Sequence, residues 1–192
     1  PVILGIARDD RESHLEKLAE GLKADALITS AGVSAGDRDL VRDILDELGV
    51  KPVFWKIDIK PGRPTAFALK GQTPVFSLPG NPVSTMITFE ELVRPALLKM
   101  MGHRRVLKPF VKATLREDVK KKAGRIHFLR VQIEVEDGAY YASTSGDQNT
   151  GILKTMVRAN GLALLPAERD FFAAGEELDV HLLSQSAEML EA

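Results

Sequence analysis

The chain has 192 residues, 44% hydrophobic and 28% charged, ordinary proportions for a globular protein with room for one large core or two modest ones. A formal net charge of −1 supplies no global field toward nucleic acid or anionic lipid, and the absence of cysteine excludes disulfides, thiolate metal ligands and a cysteine nucleophile. No apolar run approaches the roughly 20 residues that a bilayer span needs, so neither a membrane nor a nucleic acid is expected as a partner. A cysteine-free chain suits a reducing cytoplasm, and residues 1–5 lack the basic start and cleavage site of a signal peptide.

Residues 2–7 read as a short buried strand. Asp9 and Asp10 then precede His14, Leu15, Leu18, Ala19 and Leu22 at helical spacing. Residues 25–29 form a second strand candidate. After a glycine-bearing loop, a helix from about Asp39 carries Leu40, Val41, Ile44, Leu45 and Leu48 on one face, with Gly49 as its stop. A third strand is predicted over 52–59, and a hairpin over 65–69 and 74–78 around Lys70-Gly71-Gln72. Pro82 opens a long helix that Pro95 interrupts.

This alternation predicts an α/β domain, mainly parallel and three-layered, over 1–104. Beyond Gly102-His103-Arg104-Arg105 the pattern turns to strands, at 110–115, 126–135, 139–143, 162–165 and 178–183, with a helix at 150–159. Asp137-Gly138 marks a hairpin turn. A small all-β, barrel-like domain over 108–192 is expected.

Three loops follow strand candidates, where open α/β sheets place their ligands. In the first, Gly32 and Gly36 let backbone N–H groups approach a ligand, Ser30 and Ser34 add hydroxyls, and Asp37 and Asp39 suit a hard divalent cation. Asp37 serves equally well as a cap for the helix that follows. In the second, Lys60-Pro61-Gly62-Arg63-Pro64, a Pro-Gly turn presses Lys60 and Arg63 together, which favours an anion between them. In the third, Leu78-Pro79-Gly80-Asn81-Pro82-Val83-Ser84, Gly80 makes the bend, Asn81 is a good N-cap and Pro82 fits the first helical position. The three loops are expected to converge on a phosphate-bearing substrate, with Mg²⁺ neutralising charge as a phosphoryl bond breaks. Trp55 is expected in the core. Lys120-Lys121-Lys122 with Arg125 reads as a solvated hairpin tip, and His14, His103, His127 and His181 lack metal-ligand spacing.

These three strings, in this order, resemble the molybdopterin molybdenumtransferase family, which includes MoeA proteins and the Cnx and gephyrin E domains. Gly124-Arg125-Ile126-His127-Phe128-Leu129-Arg130-Val131, Gln148-Asn149-Thr150-Gly151 and Ala159-Asn160-Gly161-Leu162 extend the resemblance over the rest of the chain. The resemblance implies insertion of molybdate into adenylated molybdopterin, with release of AMP. It assigns Asp37 and Asp39 to Mg²⁺ and to catalysis. It assigns Lys60, Arg63, Ser34, Gly80, Asn81 and Ser84 to molybdate or substrate, with Arg130 and Thr150 adding anion contacts. It further implies an incomplete third domain plus a fourth. The family's Thr-Gly-Asp-Glu loop is absent here, and its active site is built across a homodimer. Ala31 stands where a glycine is usual, Arg63 for lysine and Thr150 for serine. Two other readings remain: a molybdopterin adenylyltransferase, which lacks the second β domain, and a scaffold of the gephyrin type.

Overall fold

The computed structural model describes residues 1–31 and 40–183. The chain divides into two compact units, Pro1–Ile57 with Gly62–Thr88, and Asp58–Pro61 with the chain from Phe89 onward.

In the first unit, Asp10 caps helix α1 (Arg11–Gly21) by accepting the Ser13 N–H at 2.8 Å. Strand β1 (Leu27–Ser30) follows, then helix α2 (Leu40–Glu47), with Val41, Ile44 and Leu45 buried at the spacing the sequence anticipates. The expected third strand is broken in two, β2 (Lys51–Phe54) and β3 (Ile59–Lys60), and β3 belongs to the other unit. Strands β4 (Ala66–Lys70) and β5 (Thr73–Leu78) form the expected hairpin, and helix α3 (Pro82–Thr88) leaves β5. The sheet order is β1-β5-β4-β2. Only β1–β5 is a parallel ladder, while β5–β4 and β4–β2 are antiparallel. The described sheet is therefore mixed rather than mainly parallel. The physical cause is the two-residue turn at Gly71-Gln72, which inserts the reversed strand β4 between two strands of common direction. Leu18 and Leu22, Leu27, Ile44 and Leu45, Ala68 and Val75 share one apolar cluster, so α1 and α2 pack with β1, β4 and β5.

Two further expectations fail in this unit. Residues 2–7 form no strand, and Val2, Ile3 and Ile6 are 83%, 90% and 93% exposed. A strand needs a neighbour to satisfy its backbone, and no described strand pairs with this segment. Trp55 is half-buried at a bend rather than in the core, with the Arg42 guanidinium 4.8 Å from its ring centroid.

In the second unit, a π-turn (Phe89–Val93) precedes α4 (Arg94–Met100). Pro95 has no N–H for the Glu91 carbonyl, so the regular helical ladder cannot continue through it. Strands β6 (Phe110–Leu115), β7 (Val119–Lys120), β8 (Ile126–Glu136) and β9 (Ala139–Thr144) follow. Then come helix α5 (Lys154–Arg158) and strands β10 (Gly161–Leu165), β11 (Phe171–Phe172) and β12 (Glu177–Leu182). The ring β10-β12-β6-β9-β8 closes through a β10–β8 pairing, which makes a five-strand barrel. Leu129, Val131 and Ile133 of β8, Ala113 and Leu115 of β6, and Leu178, Val180 and Leu182 of β12 alternate into its interior. Asp137 and Gly138 hold φ of 49° and 78°, the paired positive angles of a two-residue hairpin turn. The helix expected over 150–159 is shorter, because the Asn149 side chain accepts the Gly151 N–H at 2.9 Å and holds a turn there.

Candidate functional site

Two places gather the candidate residues, one in each unit. In the first unit, parallel pairing sets the carboxyl ends of β1 and β5 side by side, with Ser30 opposite Leu78. The Ala31 N–H donates to the Leu78 carbonyl at 3.1 Å, and the Ser30 hydroxyl donates to the Pro79 carbonyl at 3.4 Å. A Cβ on Gly80 would lie 3.1 Å from that of Ala31, so the two chains approach as closely as a glycine permits. Ala31 itself sits at φ 75°, a left-handed angle that suits the glycine its relatives are expected to carry.

At the start of α3, Asn81 fulfils the expected N-cap. Its Oδ1 accepts the Ser84 N–H at 3.1 Å and the Ser84 hydroxyl at 3.3 Å. The Thr85 hydroxyl donates to the carbonyls of Pro79 and Asn81. Ser84 is buried, Gly80 exposed and Asn81 half-buried. Several polar groups of this turn are thus engaged with the turn itself. Ser34, Asp37 and Asp39 lie outside the described residues, as do Gly32 and Gly36. Arg63 is exposed, and its carbonyl accepts the Ile57 N–H at 3.1 Å. Gly62 holds the positive φ that the turn requires, 108°, and the Lys60–Pro61 peptide is cis.

The second place is a pocket of about 300 Å³ within the second unit, around the N-terminal part of β8. Lys60, Lys121, His127, Arg130, Gln148 and Thr150 line it, as do Glu117 and Asp118. Three residues singled out from sequence, Lys60, Arg130 and Thr150, therefore share one cavity. Strand β3 brings Lys60 there, because its parallel pairing with β8 sets Lys60 opposite His127.

Arg130 is the largest buried polar group, 1% exposed. Its Nη2 donates to the carbonyls of Asp147 (3.2 Å) and Asn149 (3.3 Å), while Nε has no partner among the described residues. Burial lowers its pKa, against the opposing pull of Asp147. A buried guanidinium N–H without an acceptor is costly unless something supplies one. Gln148 braces the strand by accepting the Arg130 N–H at 3.0 Å and donating to the Arg130 carbonyl at 3.2 Å. The two wall carboxylates are held by backbone amides, Glu117 by Thr144 at 2.6 Å and Asp118 by Ala174 at 2.8 Å.

Sequence reasoning missed Lys121 and His127. The lysine run is no hairpin tip. Lys121 is half-buried and donates to the Arg125 carbonyl at 3.1 Å, next to the paired short strands β7 and β11. Burial pushes its pKa down. His127 is pushed down to about 4, first by burial and then by Lys60, Lys121 and Arg125. At neutral pH the imidazole is uncharged among cations. The only sequence signal for His127 was its place in the string over 124–131 that resembles the family, and for Lys121 its place in the lysine run before that string.

Comparison with known proteins follows the same division. Residues 1–99 match the family described as probable molybdopterin binding domain, and residues 112–183 match the MoeA C-terminal region, domain IV. The chain is 36% identical over 182 residues to a molybdopterin molybdenumtransferase of Haemophilus influenzae, across 91% of this chain and 45% of that protein. It is 30% identical over 184 residues to one from Nostoc sp., across 93% of this chain and 42% of that protein. Two solved structures of the molybdopterin biosynthesis MoeA protein from Pyrococcus horikoshii superpose with TM-scores of 0.76 and 0.74, at 30% and 26% identity. They match over 93% and 95% of this chain and 42% of theirs. The chain thus spans less than half the length of these relatives. It belongs to the family of the probable molybdopterin binding domain, in the MoeA arrangement where the MoeA C-terminal region follows that domain.

Proposed function

We propose that the chain supplies the molybdate-handling part of a molybdopterin molybdenumtransferase, which inserts molybdate into adenylated molybdopterin and releases AMP. The observation that carries this reading is the pocket joining Lys60, Arg130 and Thr150. Molybdate is a tetrahedral dianion. A buried guanidinium with an unfilled N–H, a lysine ammonium and a threonine side chain match its charge and its acceptor oxygens. In this reading the domain over 1–104 holds the pterin and its phosphates with Arg63, Ser34, Gly80, Asn81 and Ser84, and the domain over 108–192, together with Lys60, holds the oxyanion.

Asp37 and Asp39 would carry Mg²⁺, which would neutralise charge on the adenylate as its phosphoanhydride bond breaks. Among the described residues there is no cluster of three or more His, Asp or Glu that could hold a metal, so the Mg²⁺ assignment rests on those two aspartates. No helix among the described residues is long and apolar enough to cross a membrane. A cytoplasmic homodimer acting on a small molecule is the setting we propose.

The test uses a protein of the relatives' full length. Arg130→Met should raise the molybdate concentration needed for half-maximal AMP release by about 10- to 100-fold, the effect of losing a charge-assisted hydrogen bond. Asp39→Asn should abolish AMP release at any molybdate concentration. Unchanged molybdate dependence in Arg130→Met would remove the pocket from the reaction.

A further inference from the structure

The pocket is cationic in an unbalanced way. Lys60 reaches it from β3, Lys121 from the segment after β7, and Arg130 from β8. His127 stands among them, with Lys60 of β3 and Leu165 of β10 as its register partners on either side. Arg125, two residues earlier and just before that strand begins, adds a further positive charge. Glu117 and Asp118, on the turn between β6 and β7, line the cavity too, but each takes a backbone N–H of its own. Among the described residues, every charge that acts appreciably on the imidazole is positive.

We propose that His127 makes oxyanion capture in this pocket proton-linked, so that a tetrahedral dianion seated beside it draws a proton from solvent onto the imidazole and the two bind together. The inference rests on the pocket being the oxyanion site, and it adds the role of His127. Burial already opposes a charged ring and three cations press on it, so a fourth positive charge is disfavoured. A dianion cancels that repulsion and supplies an acceptor. The imidazole then takes a proton and becomes a donor on both nitrogens. Nothing is consumed besides a proton from buffer, which returns when the anion leaves. Linkage then requires the anion to bind more tightly as pH falls, because the bound state holds the extra proton. It also favours dianions over monoanions, since a single charge relieves less of the repulsion.

Sulfate is the right probe, because it stays doubly charged over the whole working range, so any pH dependence belongs to the protein. Sulfate titrations of the intact chain by calorimetry, from pH 8 to pH 5, measure the effect. If the anion restores the imidazole to its ordinary value of about 6.5, affinity rises about fourfold by pH 6 and about 30-fold by pH 5. His127→Gln and His127→Asn should each flatten the profile to within about twofold while still binding sulfate. Arg130→Met should weaken sulfate at every pH, which places the ion in this pocket.

Four results overturn the proposal, and they differ in what else they overturn. A flat wild-type profile, or a steep one that survives both His127 substitutions, removes the proton from His127 and leaves the oxyanion pocket intact. Sulfate that fails to bind at any pH, or binds equally well to Arg130→Met, removes the pocket and the proton linkage together.

Discussion

The turn joining β5 to α3 and the pocket beside β8 are opposite lessons in how a candidate anion site is built. The turn is conspicuous in sequence: glycine, asparagine and proline in a row at a helix start. In the structure its polar groups largely satisfy one another, with Asn81 holding Ser84, and Thr85 and Ser30 bonded to the Pro79 carbonyl. The pocket is quiet in sequence, since its residues are scattered from Lys60 to Thr150. Yet it gathers cations around one imidazole and leaves one guanidinium nitrogen without an acceptor among the described residues. Turn chemistry announces how a backbone bends, whereas unmet electrostatic demand shows where a ligand belongs.

The contrast breaks most readily in binding. Arg130→Met should weaken sulfate by about 10- to 100-fold, while Asn81→Ala should leave sulfate affinity unchanged. Equal losses in calorimetric titration would show that both places hold the ion. Acid stability is the next largest difference. The folded value of His127, about 4, lies below the unfolded one near 6.5. As pH falls through that window, the unfolded chain takes up a proton that the folded chain refuses, so wild type loses stability there. His127→Gln lacks this loss, and urea unfolding at pH 7 and pH 5 should show the variant losing less. Saturating sulfate should narrow the gap by favouring the protonated ring.

The turn's contribution to stability comes from its own hydrogen bonds, and there the effects are smaller. Asn81→Ala should cost about 1 kcal/mol in denaturant unfolding, the worth of an N-cap. The smallest effect is at Ala31. Glycine there would relieve a left-handed alanine, and Ala31→Gly should stabilise the protein by roughly 0.5 kcal/mol, the steric relief outweighing the added chain entropy. A melting temperature that falls instead would mean that its close contact with Gly80 carries the packing.

Much of the fold was legible. Helical spacing around Leu18 and Ile44, the hairpin about Gly71, and Asp137-Gly138 between alternating runs each rest on contacts within a few residues. The barrel was legible as a class, since Leu129, Val131 and Ile133 alternate visibly. Errors fell where distant partners decide. The run over 2–7 has strand composition and no strand neighbour among the described residues. The predicted strand over 52–59 splits because its two halves pair with strands of different units, β2 with β4 and β3 with β8.

At the site the same boundary holds. Arg130 and Thr150 were singled out through motifs that resemble a family and Lys60 through its Pro-Gly turn beside Arg63, and nothing in their spacing joined the three. Lys121 read as part of a solvated lysine run, and His127 was passed over because an isolated histidine has no periodicity to read.

By itself the sequence determined the local elements, the turns and the family, because backbone propensity and side-chain alternation act over a few neighbouring residues. Only tertiary structure decided that β3 lies against β8, and with it that Lys60 stands opposite His127. The charge state of that imidazole follows from burial and from cations brought in by other segments. Coulomb forces act through space and take no account of distance along the chain.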